Sequence, residues 1–274
     1  MPELPEVESL VRGVRDALKG KRIANVSFLR PDIREVIPAE RLKEILSGQK
    51  VTDVSRRGKY MLIHTKEGAL GVHLGMSGRF VASDKSACLV PHTHALFDLE
   101  KNLQFRFIDP RRFGRLFSVE KNETSTHPFL AKLGVEPLED EIDLGDHLFD
   151  ASRSRSQAVK VFLMDSEVVV GVGNIYASES LWRAKINPQI PSKNLKLSQF
   201  RKLALHIKAV LSDAIDAGGT TLRDYRDKDG KPGYFQTNLA VYGKESMPCP
   251  RCRTTVRRMI QAARSTFFCS VCQK

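Results

Sequence analysis

The sequence contains no apolar run long enough to cross a bilayer, which needs about 20 consecutive apolar residues. Its first six residues hold two prolines and two glutamates, and they lack the basic start and apolar stretch of a signal peptide. We therefore expect a cytoplasmic protein. Cysteine is scarce, with 5 in 274 residues, and disulfides are rare in that compartment, so the cysteines need another role.

Charge of one sign is missing from two stretches of the chain. Residues 135–150 carry acidic side chains and no Lys or Arg, whereas residues 249–274 carry basic side chains and no Asp or Glu. The formal net charge of +12 predicts a polyanionic partner, and nucleic acid is the commonest soluble one. The alternative is a lysine-rich surface that serves solubility, which the arginine-rich C-terminal end disfavours.

The first half of the chain is predicted to be a helix followed by short strands. The helix begins just after Pro5 and ends at Gly20, because apolar residues recur there at helical spacing. These residues are Val7, Leu10, Val11, Val14 and Leu18. From residue 23 to about residue 119, short β segments predict a β-sandwich or flattened barrel with the helix packed against it. The clearest segments are residues 60–65, 69–74, 93–99 and 103–108.

The second half is predicted to be helical after an acidic linker at residues 135–150. Helices are expected over residues 156–164, after the turn from Gly171 to Asn174, and over residues 198–217. Gly218 and Gly219 end the last of these helices. A turn-rich loop over residues 220–233 then leads towards the cysteines.

Four of the cysteines form two Cys-x2-Cys pairs, Cys249 with Cys252 and Cys269 with Cys272, which predict one zinc site. Each pair places two thiolates on a tight turn, and the residues between the pairs form a hairpin. Four thiolates leave no coordination position for water, so the zinc is structural. Unrelated thiols or a redox pair are the alternative. Cys88 has no partner motif and is expected to be an ordinary buried cysteine.

The start of the chain suggests a nucleophile. Removal of Met1 would expose the secondary amine of Pro2, and an α-amino group titrates roughly two to three units below lysine. Attack on an aldehyde-like sugar carbon would give a cationic iminium, which promotes elimination at neighbouring carbons. Glu3 or Glu6 would supply a general acid or base. Pro and Glu are also common in first helical turns for structural reasons, so this chemistry depends on support from other motifs.

Further motifs follow in order along the chain. They are Pro2-Glu3-Leu4-Pro5-Glu6-Val7-Glu8, Ser55-Arg56-Arg57-Gly58-Lys59-Tyr60, His73-Leu74-Gly75-Met76-Ser77-Gly78, Asp109-Pro110-Arg111-Arg112-Phe113-Gly114, Gly171-Val172-Gly173-Asn174-Ile175-Tyr176-Ala177-Ser178-Glu179 and Gly218-Gly219-Thr220-Thr221-Leu222. Together with the cysteine pairs, they resemble the bacterial formamidopyrimidine-DNA glycosylases, also called 8-oxoguanine-DNA glycosylases. The resemblance covers essentially the whole chain, and the joint occurrence of the motifs is highly specific although each alone is weak.

The resemblance implies an α+β multidomain fold with an N-terminal β-sandwich and flanking helices, a helix–two-turn–helix domain and a C-terminal four-cysteine zinc finger. We expect these domains at residues 1–132, 151–235 and 236–274, with the acidic linker at 133–150 and DNA in the cleft between the halves. The implied activity is excision of oxidised purines (8-oxoguanine, formamidopyrimidines) from duplex DNA and β,δ-elimination at the abasic site. One structural zinc and a monomeric, nucleoid-associated bacterial protein complete this expectation.

The resemblance also implies roles for single residues. Pro2 is the nucleophile at C1′, Glu3 its acid/base partner, and Lys59 reaches the damaged nucleotide and its phosphate. Arg264, at the finger tip, clamps a phosphate. Three side chains fill the hole left by an everted base: Met76, Arg111 and Phe113. Contacts to DNA are expected from His92, Arg111, Arg112, Lys160 and Asn174. The loop over the everted base consists of Thr221, Leu222, Arg223, Asp224 and Tyr225. Buried support comes from Glu179.

Two positions depart from the family pattern. Ser77 stands where several members carry Glu, so a base contact from this position is in doubt. The finger tip reads Ala263-Arg264-Ser265-Thr266 instead of Gly-Arg-Gly-Thr or Gln-Arg-Ala-Thr, so its geometry is expected to differ.

Two alternatives remain open. An endonuclease VIII-like glycosylase would remove oxidised pyrimidines, but such proteins commonly begin Pro-Glu-Gly-Pro, which Leu4 disfavours. A non-catalytic zinc-finger protein that binds damaged DNA belongs to another class, and retention of Met1 would favour it. An RNA-directed activity is a weaker option, since the sequence has no aromatic stacking motif.

Overall fold

The computed structural model of the chain describes residues 2–139, 141–220, 229 and 235–274. The chain divides into two compact units, one bounded by Met1–Ala131 and Ala217–Tyr234 and the other by Lys132–Asp216 and Phe235–Lys274. Among the described residues, no helix has the length and apolar character needed to cross a membrane.

Among its described residues, the first unit contains two helices and two four-stranded antiparallel sheets. The helices are α1 (Leu4–Leu18) and α2 (Ala39–Leu46). The first sheet contains, in order across it, β1 (Ile23–Phe28), β6 (Thr93–Leu99), β7 (Leu103–Ile108) and β5 (Arg79–Asp84). The second contains β2 (Asp53–Arg57), β3 (Tyr60–His64), β4 (Gly68–His73) and β8 (Arg115–Glu120). The predicted helix and the predicted β-sandwich are both confirmed.

Both sheets and both helices of the first unit contribute to one apolar core. Helix α1 buries the predicted stripe from Val7 to Leu18 and packs on β2 and β3. In the first sheet, the rings of Phe80 and Phe105 stack with centroids 5.3 Å apart. Because burial of one such side chain contributes about 1.5–3 kcal/mol, this core holds the sheets in a fixed register and fixes where their strands end.

The second unit contains four helices and a hairpin among its described residues. They are α3 (Leu144–Ser152), α4 (Val159–Leu163), α5 (Asn174–Ala184), α6 (Leu197–Asp216), β9 (Arg257–Gln261) and β10 (Arg264–Phe268). The helices predicted after the Gly171 turn and over residues 198–217 are confirmed as α5 and α6. The helix predicted over residues 156–164 is shorter, because only Val159–Leu163 is helical.

Helix α3 lies in the stretch that was predicted to be a linker. The carboxylate of Asp143 caps its first turn by accepting two backbone N–H groups. Leu144 and Leu148, one turn apart, are buried, and α3 packs on α6. The acidic residues here therefore belong partly to a packed helix, and the linker is shorter than the charge pattern suggested.

The expectation that Cys88 is buried is wrong. Cys88 is exposed, in the loop between β5 and β6. Its backbone carbonyl accepts a hydrogen bond from the buried guanidinium of Arg106 at 2.8 Å, and Arg106 also binds the carbonyl of Ala87 at 2.7 Å. The loop is thus held by its backbone, which leaves the thiol in solvent.

Candidate active site

The residues at the start of the chain are buried and oriented by the first turn of α1. Pro2 is buried, and Glu3, which is 4% exposed, is the N-cap of the helix. The backbone N–H of Glu3 donates to Glu6 Oε2 at 2.7 Å, as in a capping box. The helix start therefore fixes the backbone that carries the predicted nucleophile and its acid/base partner.

Glu6 also binds a distant segment of the same unit. Its Oε1 accepts the backbone N–H of Thr220 at 2.7 Å. Gly219 has φ 86°, and a Cβ there would lie 3.1 Å from Glu6 Cγ, so the two segments are in close contact. Both carboxylate oxygens of Glu6 accept backbone N–H groups, and the Glu3 carboxylate accepts the backbone N–H of Glu6 in the same capping box. The predicted lesion loop, residues 221–225, follows directly and lies outside the described residues.

Strand register places three connections at one end of the second sheet. Tyr60 pairs with His73, and His73 pairs with Arg115, so β3 begins where β4 ends and β8 begins. The connections at that end are a two-residue loop, Gly58 and Lys59, and two turns, which we call the Met76 turn (residues 74–78) and the Arg111 turn (residues 109–114). Gly58 has φ 56°, which suits the first position of a type II′ hairpin. Lys59, Met76, Arg111 and Phe113 therefore share one end of the sheet.

His73 lies at the same end and is held neutral. Burial lowers its pKa to about 3, and repulsion from Lys59 and Arg115 acts in the same direction. Its ring lies 4.9 Å from that of Tyr60, and Nδ1 accepts the backbone N–H of Gly75 at 3.1 Å. A neutral imidazole is required for that hydrogen bond, because a protonated ring has no acceptor.

The three predicted void-filling side chains are exposed. Met76 is 38% and Phe113 40% exposed, which is unusual for large apolar groups in a unit with an apolar core. The guanidinium of Arg111 lies 4.8 Å from the Phe113 ring centroid, within cation–π range. The two turns thus present an apolar and a cationic group together at the surface.

Sequence reasoning did not single out Asp109 beyond its motif. It is fully buried, and its carboxylate accepts Ser77 Oγ–H at 2.6 Å and the backbone N–H of Gly114 at 2.7 Å. Its backbone carbonyl accepts a hydrogen bond from His94 Nε2 at 2.9 Å. Asp109 therefore joins the Met76 turn to the Arg111 turn. The motif did show a carboxylate next to a proline and before a glycine. It could not show that this carboxylate binds Ser77, which is distant in the chain.

His92 and Arg112 are both exposed and both have positive φ, 65° and 55°. The carbonyl of His92 accepts the N–H of Asp109 at 3.0 Å, and the N–H of Arg112 donates to the Asp109 carbonyl at 3.2 Å. The structure therefore places His92 beside the Arg111 turn, of which Arg112 is a part.

In the second unit, Asn174 joins helix α5 to the finger hairpin. Its Nδ2 donates to the carbonyl of Ser265 at 2.9 Å and to the hydroxyl of Tyr242 at 3.3 Å. Lys160, predicted to touch DNA, is fully buried, and its ammonium donates to Asn174 Oδ1. Arg264, next to Ser265, is exposed. Lys160 therefore supports the site through Asn174 in this structure, while Arg264 faces solvent.

Glu179 has the buried supporting position that the sequence suggested. Its carboxylate accepts the backbone N–H groups of Ala240, Val241 and Tyr242 at 2.9, 2.9 and 2.8 Å. Burial raises the pKa of Glu179, and the three N–H donors oppose that shift. The contact fixes the segment that leads into the finger.

The four predicted zinc ligands come together. The sulfur atoms of Cys249, Cys252, Cys269 and Cys272 all lie within 4.8 Å of one another. The Cys249–Cys272 and Cys252–Cys269 sulfur distances are 3.9 and 3.4 Å. A tetrahedral zinc with Zn–S bonds of about 2.3 Å needs sulfur atoms about 3.8 Å apart, so the cluster fits this metal.

Comparisons with known proteins find matches along the whole chain. Residues 1–116 match the formamidopyrimidine-DNA glycosylase N-terminal domain, residues 133–226 match the H2TH domain of the same glycosylase, and residues 247–274 match a zinc finger found in FPG and IleRS. The formamidopyrimidine-DNA glycosylase of Magnetococcus marinus is 46% identical over 100% of both chains, and that of Legionella pneumophila is 43% identical over 100% of this chain and 98% of its own.

Solved structures are similar over the whole chain. The MutM (Fpg) protein of Thermus thermophilus has a TM-score of 0.88 and 39% identity, covering 99% of this chain and 98% of its own. Lactococcus lactis Fpg bound to DNA with an abasic site has a TM-score of 0.91 and 31% identity, covering 99% of both chains. The same protein has also been solved with DNA containing an oxidised pyrimidine.

Proposed function

Because the chain belongs to the formamidopyrimidine-DNA glycosylase family, and is therefore a DNA glycosylase and AP lyase of oxidised-base repair, we propose that Pro2 is its nucleophile. The observation that carries this proposal is the burial of Pro2 next to Glu3 at the fixed start of α1. Once Met1 is removed, the terminal secondary amine can be unprotonated in a useful fraction near neutral pH, since α-amino groups titrate roughly two to three units below lysine.

In the proposed reaction, the Pro2 nitrogen forms a bond to C1′ and the bond from C1′ to the damaged base breaks. The base leaves with the glycosidic electron pair and takes up a proton, and the Pro2 nitrogen loses its own N–H proton. Glu3 donates a proton to the sugar ring oxygen as the ring opens, which gives the iminium. Loss of a C2′ proton then expels the 3′ phosphate, and loss of the C4′ proton expels the 5′ phosphate in a second elimination. Water finally releases the sugar fragment from Pro2.

The cations of each unit have separate roles in this proposal. In the first unit, Lys59, His92 and Arg112 bind the phosphates around the damaged nucleotide. In the second unit, Arg264 and Asn174 bind the lesion strand, and Lys160 orients Asn174. A phosphate suits Arg264 because a guanidinium offers paired donors.

Met76, Arg111 and Phe113 are proposed to fill the space left by the everted base. An enzyme that acts on a base within a duplex must extrude it, and apolar wedges stabilise the gap. The exposure of Met76 and Phe113 supports this role, and Arg111 is suited to hydrogen-bond the unpaired opposite base.

Oxidised purines are the proposed main substrate. The loop at residues 221–225 is proposed to cover the everted base. Damaged duplex DNA is the partner, bound by a monomer in the bacterial cytoplasm. Lactococcus lactis Fpg has been solved both with Fapy-dG and with an oxidised pyrimidine. The property to measure is therefore the preference for oxidised purines over oxidised pyrimidines, and not an absolute selectivity.

Borohydride trapping tests the proposal. The protein is mixed with duplexes that contain 8-oxoguanine opposite cytosine, thymine glycol, or no lesion, and adducts are mapped by mass spectrometry. We expect an adduct on Pro2, strongest with 8-oxoguanine. Pro2→Gly, which leaves a primary amine, should slow turnover by about a hundredfold or more with DNA affinity kept. Pro5→Ala is the matched control, because it removes a proline of the first turn without altering the terminal amine.

Each other outcome overturns a defined part of the proposal. An adduct on a lysine would remove Pro2 from the mechanism. A stronger adduct with thymine glycol would assign the chain to pyrimidine lesions. No adduct from zinc-loaded protein that lacks Met1 would exclude an iminium intermediate.

A further inference from the structure

The Met76 turn and the Arg111 turn touch through their backbones. Gly75 has φ 62°, and a Cβ on it would lie 2.4 Å from the backbone carbon of Phe113. A Cβ on Gly114 would lie 2.8 Å from the carbonyl oxygen of His73. Such distances are below any normal carbon contact, so only glycine permits the approach at these two positions. The two turns therefore pack without an intervening side chain.

One carboxylate connects them from beneath. Asp109 is 0% exposed, and Oδ1 accepts Ser77 Oγ–H at 2.6 Å, while Oδ2 accepts Gly114 N–H at 2.7 Å. The N–H of Arg111 lies 3.3 Å from both Ser77 Oγ and Asp109 Oδ1. The carboxylate thus holds the residue after Met76, the backbone of Arg111 and the residue after Phe113.

We infer that Ser77 and Asp109 are positioning residues that make Met76, Arg111 and Phe113 enter the duplex as one rigid group. This inference rests on the proposed void-filling role of those three side chains. Insertion by independent turns would require each side chain to be ordered separately at an entropic cost, and a shared buried anchor removes much of that cost.

The same geometry assigns a contact to the Ser77 hydroxyl. A serine hydroxyl has one proton to donate, and here it is donated to a buried carboxylate. Ser77 is 7% exposed. Its contribution is therefore to the placement of Met76 and Arg111, and not to recognition of the damaged base by hydrogen-bond donation.

Ser77→Ala tests the inference against two reactions. Excision of 8-oxoguanine from a duplex requires filling of the void, whereas strand cleavage at a preformed abasic site in single-stranded DNA does not. Loss of a hydrogen bond to a charged group should slow the duplex reaction about tenfold more than the single-stranded one. Ser77→Thr, which keeps the hydroxyl, should restore most of the rate. Ser83→Ala is the matched control, since its hydroxyl donates to the backbone carbonyl of Asp84 at 3.2 Å near the surface.

A 2-aminopurine opposite the lesion supplies a spectroscopic readout of insertion. Wild-type protein should change its fluorescence rapidly, and Ser77→Ala should slow that change while the melting temperature moves little. Equal loss in both reactions, or no rescue by Thr, would show a merely structural role and overturn the inference. Asp109→Asn should act in the same direction as Ser77→Ala and more strongly, and an unslowed fluorescence change in a folded Asp109→Asn protein would also overturn it.

Failure of the underlying proposal looks different. If Met76→Ala and Phe113→Ala leave the fluorescence change and duplex excision as in wild type, the void-filling role is wrong and the inference falls with it. If those variants lose the signal and Ser77→Ala keeps it, the void-filling role stands and only the inference is overturned.

Discussion

The two ends of this chain hold their candidate functional residues by different means. Near the N-terminus, Lys59, Met76 and Arg111 lie on connections at one end of a sheet. The strands of that sheet contribute to an apolar core together with α1 and α2. The finger has a much smaller buried cluster: Val241, Cys249, Val256, Phe267 and Cys269. Two of those five residues are zinc ligands. The first arrangement is stabilised by burial of apolar surface, and the second needs a metal.

This difference follows from size. A segment of fewer than about 40 residues buries too little apolar area to offset its conformational entropy, so small finger domains depend on metals or disulfides. The chemistry is proposed for the unit with the large core, where nucleophile and acid must be held closely. A smaller scaffold is sufficient for contact with a polyanion. Attraction between charges acts over several ångströms, whereas catalysis needs atoms held at bonding or hydrogen-bonding distance. Perturbations should therefore separate the two regions.

Loss of zinc should have the largest effect. In Cys249→Ala, the finger should unfold, since zinc contributes on the order of 10 kcal/mol to folding of such modules, and DNA affinity should fall about a hundredfold. The first unit should keep its own unfolding transition. Metal content, a DNA titration and calorimetry measure the three quantities. Cys88→Ala is the control, because that exposed thiol lies outside the cluster. Full DNA affinity in a metal-free protein would show that the finger does not depend on zinc.

A pH effect should come next, and it should belong to the first unit. His73 has its pKa lowered to about 3 by burial, against about 6.5 when unfolded. Below about pH 6.5, His73 is protonated in the unfolded chain and stays neutral in the folded chain, which favours unfolding. The free energy of unfolding therefore has its full value above about pH 6.5 and decreases as the pH falls from there to about pH 3. The slope reaches about 1.4 kcal/mol per pH unit.

Urea unfolding of the first unit at pH 7 and pH 4.5 measures that slope. His73→Gln keeps an acceptor for Gly75 N–H and removes the titration, so its stability should change less with pH than that of the wild type. Chelation of zinc should leave the difference in place. An identical slope in both proteins would show that His73 is not the titrating group.

Local patterns were sufficient to predict much of the fold. The apolar spacing from Val7 to Leu18 corresponds to α1, which buries one face. The short β segments predicted at residues 60–65 and 103–108 correspond to β3 and β7, which are buried over most of their length. Helix α3 was missed, because its two buried leucines, Leu144 and Leu148, lie among acidic residues that read as a solvated linker. Cys88 was misjudged because the burial of a loop residue depends on Arg106, which is distant in sequence.

The candidate site could be predicted as a set of residues but not as an arrangement. The cysteine spacing alone indicated the zinc cluster, which the structure brings together. The link from Asp109 to Ser77 joins two turns that no spacing relates, and the burial of Lys160 against Asn174 depends on how α4 meets α5. Such contacts follow from tertiary packing, which a single sequence does not display.

Glu179 offers a sharper test within the second unit. In Glu179→Gln, the amide nitrogen would face one of three backbone N–H donors, and an unsatisfied buried donor costs about 1–3 kcal/mol. We expect faster zinc release to a chelator and faster hydrogen exchange at residues 240–242. Glu245→Gln is the control, because its exposed pair with Arg258 is worth about 0–1 kcal/mol. Equal release rates for both variants would show that the finger is held by zinc alone.

The smallest effect should come from the finger tip and should have the opposite sign. Ala262 and Ala263 form the two-residue turn between β9 and β10 with φ of 45° and 58°, a left-handed conformation that costs an alanine about 1–2 kcal/mol. Ala263→Gly removes that cost and adds unfolded-state entropy of about 0.5–1 kcal/mol, so a net stabilisation of about 0.5 kcal/mol is expected in zinc-loaded protein. Ala204→Gly within α6 should instead destabilise by about 1 kcal/mol. Destabilisation by both changes, measured by chemical unfolding, would mean that the tip is unstrained. In that case, zinc would not be needed to hold a strained turn next to Arg264.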